Sequence, residues 1–207
     1  RAGTLPWLKL LDTPEAVATA SSEAHTLEGA ELQNLVFLVD VSSSMQAPGR
    51  LPLFREALAT LTGELRAQDY VSIVTFSGQA KEILAPTSGN QRNKILQVRN
   101  ELVGQGQTVI LPGFQMAYAS ASKQGEAGKN NCVLMVTDGE FDISEELVAL
   151  VEAQAYKGIH LSILAVGELE PRMQYRLSKL AEIGQGHLGR LTSDRTSTQL
   201  IEEVLAD

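Results

Sequence analysis

Residues 36–45 read VFLVDVSSSM. A nearly unbroken apolar run stops at one carboxylate, Asp40, and Ser42, Ser43 and Ser44 follow almost at once. Taken back to Asn34, the run NLVFLVD is short and apolar throughout, with no alternation. That is the mark of a strand covered on both faces, as in a parallel sheet between helices. Working outward, YVSIVTF (70–76), CVLMVTD (132–138) and IHLSILAVG (159–167) repeat the pattern.

Helical stretches separate these strands. LFREALATLTGELRAQ places Phe54, Ala57, Leu58, Leu61 and Leu65 on one stripe. NQRNKILQVRNEL (90–102) and PGFQMAYASASK (112–123) also read as helices. Ser144 precedes EELVALVEAQAYK as an N-cap, with acids in the first turn where the helix dipole favours them. Pro171 opens a helix that ends near Gly184, which suits a C-cap. FSGQAK turns YVSIVTF tightly into KEIL (81–84), so that strand is expected to be antiparallel and near an edge. GHLGRL (186–191) is a weak last strand, and residues 194–206 are expected to form a closing helix capped by Ser193 or Asp194.

Strands alternating with helices predict an α/β fold: Rossmann-like and doubly wound, with a mostly parallel central sheet, one antiparallel edge strand and helices on both faces. Residues 1–33 differ. LPWLKLL is an apolar anchor and the following Ala/Ser/Glu-rich stretch is a polar connector, so the chain divides into an N-terminal arm (1–33) and one domain (34–207). Trp7 is expected to pack on that domain, because a large exposed apolar patch is unusual.

Composition narrows the function. The 207 residues are 43% hydrophobic, enough for a core, and carry a net charge of -8 with no basic run, which argues against a nucleic-acid partner. The one cysteine, Cys132, lies in an apolar strand and reads as a small buried hydrophobe. No hydrophobic stretch approaches the roughly 18 residues of a membrane helix, so membrane association is expected only indirectly, through regions outside this chain. No leader is visible, but the chain begins at Arg1, so this says little about its compartment.

In a parallel sheet the acids ending FLVD and LMVTD, Asp40 and Asp138, arrive at the same edge, where ligands gather in such folds. Ser42 and Ser44 follow Asp40 at +2 and +4, and the Gly-rich GQGQT brings Thr108 to a loop just before a helix. Each has a plain reading as a cap or turn residue. Together they form a hard-oxygen set without His or Cys, suited to Mg²⁺, Mn²⁺ or Ca²⁺ rather than zinc.

In this order the residues resemble a von Willebrand factor A-type domain with a metal-ion-dependent adhesion site. The family's Asp-x-Ser-x-Ser is Asp40-Val41-Ser42-Ser43-Ser44, its loop threonine matches Thr108, and its second aspartate matches Asp138. LRAQDYVSIVTFSGQA and LAPTSGN resemble a bacterial, envelope-associated subset, and the likeness covers about residues 33–192. The loop departs from the family in placing Gln107 before the threonine and Val109 after it, which alters the contact surface beside the metal.

The resemblance implies that Ser42, Ser44 and Thr108 offer neutral oxygens while Asp40 and Asp138 hold the ion directly or through waters. The cation stays electrophilic, and a carboxylate from a partner protein takes its open position. Glu140, Asp142 and Gln107 are candidate rim residues, with solvated loop acids as the competing account of the two carboxylates. The implied function is cation-dependent protein binding without catalysis, in a bacterial cell envelope or, alternatively, the cytoplasm. A second reading is a structural domain with an occupied but idle site. A phosphatase of the strand-Asp-x-Asp kind lacks its acid/base, since +2 is Ser42. His25, His160 and His187 sit in no recognisable motif, and GQGQTV fails G-x-G-x-x-G at Val109.

Overall fold

The computed structural model describes residues 27, 30–102, 109–124, 129–139 and 141–192. Six strands, β1 (Leu32–Asp40), β2 (Tyr70–Phe76), β3 (Ala80–Ser88), β4 (Lys129–Thr137), β5 (His160–Val166) and β6 (Gln185–Leu191), form one sheet ordered β3-β2-β1-β4-β5-β6. All neighbours are parallel except β2 and β3. The expected doubly wound sheet with one antiparallel edge strand is therefore the observed one.

Helices α1 (Leu51–Glu64), α2 (Arg92–Val98), α3 (Leu111–Ser122), α4 (Glu145–Ala155) and α5 (Pro171–Ile183) cover the two faces. β1 is buried along nearly its whole length and feeds both cores. Leu35, Phe37 and Val39 meet the α1 and α2 side chains, including Phe54, Leu58 and Ile95. Val36 and Leu38 point the other way, toward Phe114 of α3, Leu147 of α4 and Leu177 of α5. This two-sided burial is the reason for the unbroken apolar pattern. The stripe expected on α1 is buried, with Leu65 just past the helix end.

Several boundaries differ from expectation. β3 runs well beyond KEIL, as an edge strand with register shifts opposite Val71–Val74, and it carries Pro86, which an edge tolerates. α2 ends at Val98 because the chain tightens into a 3₁₀ turn over Arg99–Glu101. The Ser144 cap is present, accepting from Leu147 N–H at 3.2 Å. Gly184 does end α5, but not in the left-handed conformation of a glycine C-cap. Its φ is -75°, and the positive φ falls on Gln185 at 59°. Glycine is needed at 184 because a Cβ there would stand 2.5 Å from Leu161 Cβ. Cys132 is buried as expected. The arm with Trp7, and the closing helix expected at 194–206, lie outside the described residues.

Candidate metal centre

β1 and β4 are the central neighbours at which strand order reverses. Their carboxyl ends deliver Asp40 and Asp138 side by side, and both are buried, at 0% and 5% exposure. Burying two carboxylates together is costly unless their oxygens are satisfied. The chain supplies donors locally. Asp40 Oδ1 accepts from Ser42 N–H at 2.8 Å, and Asp40 Oδ2 accepts from the Thr137 hydroxyl at 2.9 Å. The Ser42 hydroxyl also hydrogen-bonds Asp40 and lies 3.0 Å from the Ser44 hydroxyl. Ser42 is held here because the chain leaves β1 with Val41 N–H bonded to Phe76 O and enters a 3₁₀ turn, Ser43–Gln46.

The electrostatics follow from this packing. Burial, with a smaller push from the neighbouring Asp138 charge, raises the Asp40 carboxyl above its ordinary value against the lowering effect of the Ser42 and Thr137 hydrogen bonds. Such a pair of acids gains from any cation placed between them. The donors brought together here are two carboxylates and the two serine hydroxyls, an all-oxygen set that fits a hard divalent ion. Among the described residues, no three His, Cys, Asp or Glu side chains cluster as metal ligands.

Two participants had not been anticipated. Thr137 links the acids' strands, giving its proton to Asp40 while its oxygen accepts from Gly139 N–H at 3.0 Å. Its signal was a hydroxyl set directly before the acid of an otherwise apolar strand. Arg50, just ahead of α1, pairs its guanidinium with Asp138 and donates to the Ser44 carbonyl at 3.0 Å. Beside them opens a cleft of about 540 Å³ lined by Arg50, Asp138, Phe141, Asp142, Glu168, Leu169 and others.

Of the expected site residues, Asp40, Ser42, Ser44 and Asp138 are brought to one edge of the sheet. Asp142 is a solvated acid at the cleft wall, 3.8 Å from Arg176. Thr108, Gln107 and Glu140 lie outside the described residues. Val109, the residue after Thr108, is exposed, and its N–H is anchored 2.7 Å from the Ser77 carbonyl just past β2. His187 Nδ1 lies 3.3 Å from the buried Ser162 hydroxyl, away from these acids on β5 and β6.

Comparison with known proteins agrees with this architecture. The uncharacterized protein YfbK of Escherichia coli (strain K12) is 34% identical over 158 residues, covering 74% of this chain and 27% of that protein. The chain thus spans about a quarter of that relative's length. An aerotolerance-related membrane protein from Bacteroides fragilis NCTC 9343, solved with multiple mutations to serines, superposes with a TM-score of 0.67 at 20% identity, covering 83% of this chain and 98% of that one. Proximal thread matrix protein 1 from the mussel byssus, solved with a zinc-occupied MIDAS motif, gives a TM-score of 0.66 at 18% identity, over 85% of this chain and 48% of that one. At such identities the structures speak for the fold. The family described as von Willebrand factor type A domain matches residues 35–140, a span that holds both strand-end acids. The chain belongs to the von Willebrand factor type A domain family, whose members generally mediate protein interaction.

Proposed function

We propose that this domain binds one divalent cation, Mg²⁺ or its relatives Mn²⁺ and Ca²⁺, and through it the acidic side chain of a protein partner. The observation that carries the reading is the pair of buried carboxylates, Asp40 and Asp138, on neighbouring strands, with the Ser42 and Ser44 hydroxyls beside them. Asp40, Ser42, Ser44, Asp138 and the loop residue Thr108 would hold the ion. A bound cation supplies a Lewis-acidic position for a carboxylate from outside. This chain's own residues would supply at most about five oxygens, two carboxylate and three hydroxyl, fewer than the roughly six a hard divalent ion takes, so a place remains for the partner's carboxylate. Binding needs no nucleophile or base, so the reading is non-enzymatic.

The zinc-occupied motif in the mussel protein supports cation binding at this place in the fold. The Bacteroides relative's description as a membrane protein supports a site of action at a bacterial envelope. No helix among the described residues is long and apolar enough to cross a membrane, so attachment there would run through other regions or partners. The division into an arm at 1–33 and a domain at 34–207 is part of the same proposal.

Calorimetric titration with Mg²⁺ and Mn²⁺ tests it. Saturable binding in the millimolar range or tighter is expected, and Asp40→Asn should abolish it. A flat titration at millimolar metal would rule the site out. For the partner, Thr108→Ala should abolish capture in Mg²⁺ from the native source while leaving the melting temperature in EDTA nearly unchanged. Capture by that variant at the native level would place the partner elsewhere and favour an idle site.

A further inference from the structure

We propose that Arg50 sets the cation affinity of this site: its guanidinium holds Asp138, and a divalent cation binds only by displacing it. The inference rests on the cation-binding reading above and adds to it a residue that no part of the Asp-x-Ser-x-Ser pattern contains.

Arg50 Nη1 donates to Asp138 Oδ2 and also to the Ser44 carbonyl, 3.0 Å away. It therefore engages the two segments, after β1 and after β4, from which the cation would draw its ligands. The Asp138 side chain is 1% exposed and that of Arg50 is 23% exposed, so the arginine reaches inward from the surface to a buried acid. The backbone makes room for it. Gly167, past the end of β5, has φ +81°, and a Cβ there would stand 3.2 Å from Arg50 Nε.

Arg50 also sits at the N-cap position of α1 without a side-chain cap of its own. A positive charge there opposes the helix dipole. The Asp138 carboxylate is what offsets that repulsion, so the arginine is held to the site rather than to the helix.

The consequence is competition. With Arg50 in place, the two acids and the guanidinium carry one net negative charge instead of two. A divalent ion at Asp138 would face a cation already on that carboxylate, and two such charges a few ångströms apart repel strongly where water is excluded. The cleft that Arg50 lines also presents Glu170, beside Glu168 and Asp142, which face Arg190 at 3.6 Å and Arg176 at 3.8 Å in exposed, loose pairs, so the released guanidinium would enter an acidic setting.

The test is Mg²⁺ titration of the whole chain against Arg50→Met and Arg50→Lys. Arg50→Met should bind Mg²⁺ about tenfold or more tightly, because a repulsive charge is gone, and should melt at a lower temperature in EDTA, because the buried Asp138 carboxylate loses the guanidinium. Arg50→Lys keeps the charge but loses the planar fork that reaches both Asp138 and the Ser44 carbonyl, and should bind with an affinity between those of the unaltered protein and Arg50→Met; binding tighter than that of Arg50→Met overturns the inference. Equal or weaker binding by Arg50→Met, with the unaltered protein binding normally, overturns the inference and leaves the cation site standing. Absence of Mg²⁺ binding in both overturns the two together. A second measurement needs no foldable variant. The Arg50 Nε–Hε resonance, identified among the arginine side-chain signals, should shift on saturation with Mg²⁺, and an unmoved resonance at saturation also overturns the inference.

Discussion

Thr137 on β4 donates its hydroxyl proton to Asp40 at the end of β1, at 2.9 Å, and the same oxygen accepts from Gly139 N–H at 3.0 Å. One side chain therefore joins the two acid-bearing strand ends. Thr137→Val keeps the shape but leaves a buried carboxylate and a buried N–H each short of a partner. The expected loss is about 1–3 kcal/mol of folding stability, read by urea denaturation in EDTA, with Thr137→Ser close to the unaltered protein. A valine variant as stable as the original would mean that water satisfies both groups.

Gly167 predicts a backbone effect. Its φ of +81° is one that side-chain-bearing residues adopt at a cost, and a Cβ would press on Arg50. Gly167→Ala should lower stability by about 1–2 kcal/mol, seen as a reduced urea midpoint with an unchanged slope.

Asp69 is fully buried, and its carboxylate accepts from Gln33 N–H at 2.9 Å, Arg66 N–H at 2.7 Å and the Arg66 guanidinium at 2.9 Å. It pins the loop before β2 to the start of β1, and Arg66 extends the tie to the Ala30 and Glu31 carbonyls. Asp69→Asn should cost about 2–4 kcal/mol, since one amide oxygen cannot replace two charged acceptors. Thermal and chemical denaturation check it, and a loss below the measurement error would show the network to be redundant.

Glu82 predicts a pH dependence. Burial alone would raise its carboxyl, but hydrogen bonds from Ser120 and Lys123 outweigh that and hold it below its ordinary value. A group with a depressed folded value contributes stability above its unfolded value, and that contribution fades as pH falls through the folded one. Glu82→Gln should therefore be less stable than the unaltered protein at pH 7, by about 1 kcal/mol for a partly exposed pair. The gap should close in acid below the ordinary glutamate range. A gap independent of pH would point to packing instead of charge.

Much of this was legible in the chain. The runs around Val36, Val133 and Leu161 were apolar enough to require cover on both faces, and that alone implied a parallel sheet. Asp40 and Asp138 stood out as the only charged residues at the ends of those two apolar runs. Arg50 was not legible, because it meets Asp138 across 88 residues and no periodicity links the two. Thr137 was hidden by its β-branched fit to a strand end. The length of β3 was missed because an edge strand exposed on one side lacks the uniform apolar signature. At Gly184 the residue was noticed for its conformational freedom, yet its missing Cβ is what the packing on Leu161 requires.

The proline in β3 has an effect on crowding. β3 forms one margin of the sheet, and at Pro86 that margin has no amide proton to offer. A strand arriving from a neighbouring molecule would find the row of donors interrupted there and the strand beneath it irregularly paired. Copies tethered side by side at high local density would thus resist merging through this margin into a continuous sheet. Of the two margins of the sheet, that leaves β6, which carries no proline, as the one where the row of donors runs uninterrupted.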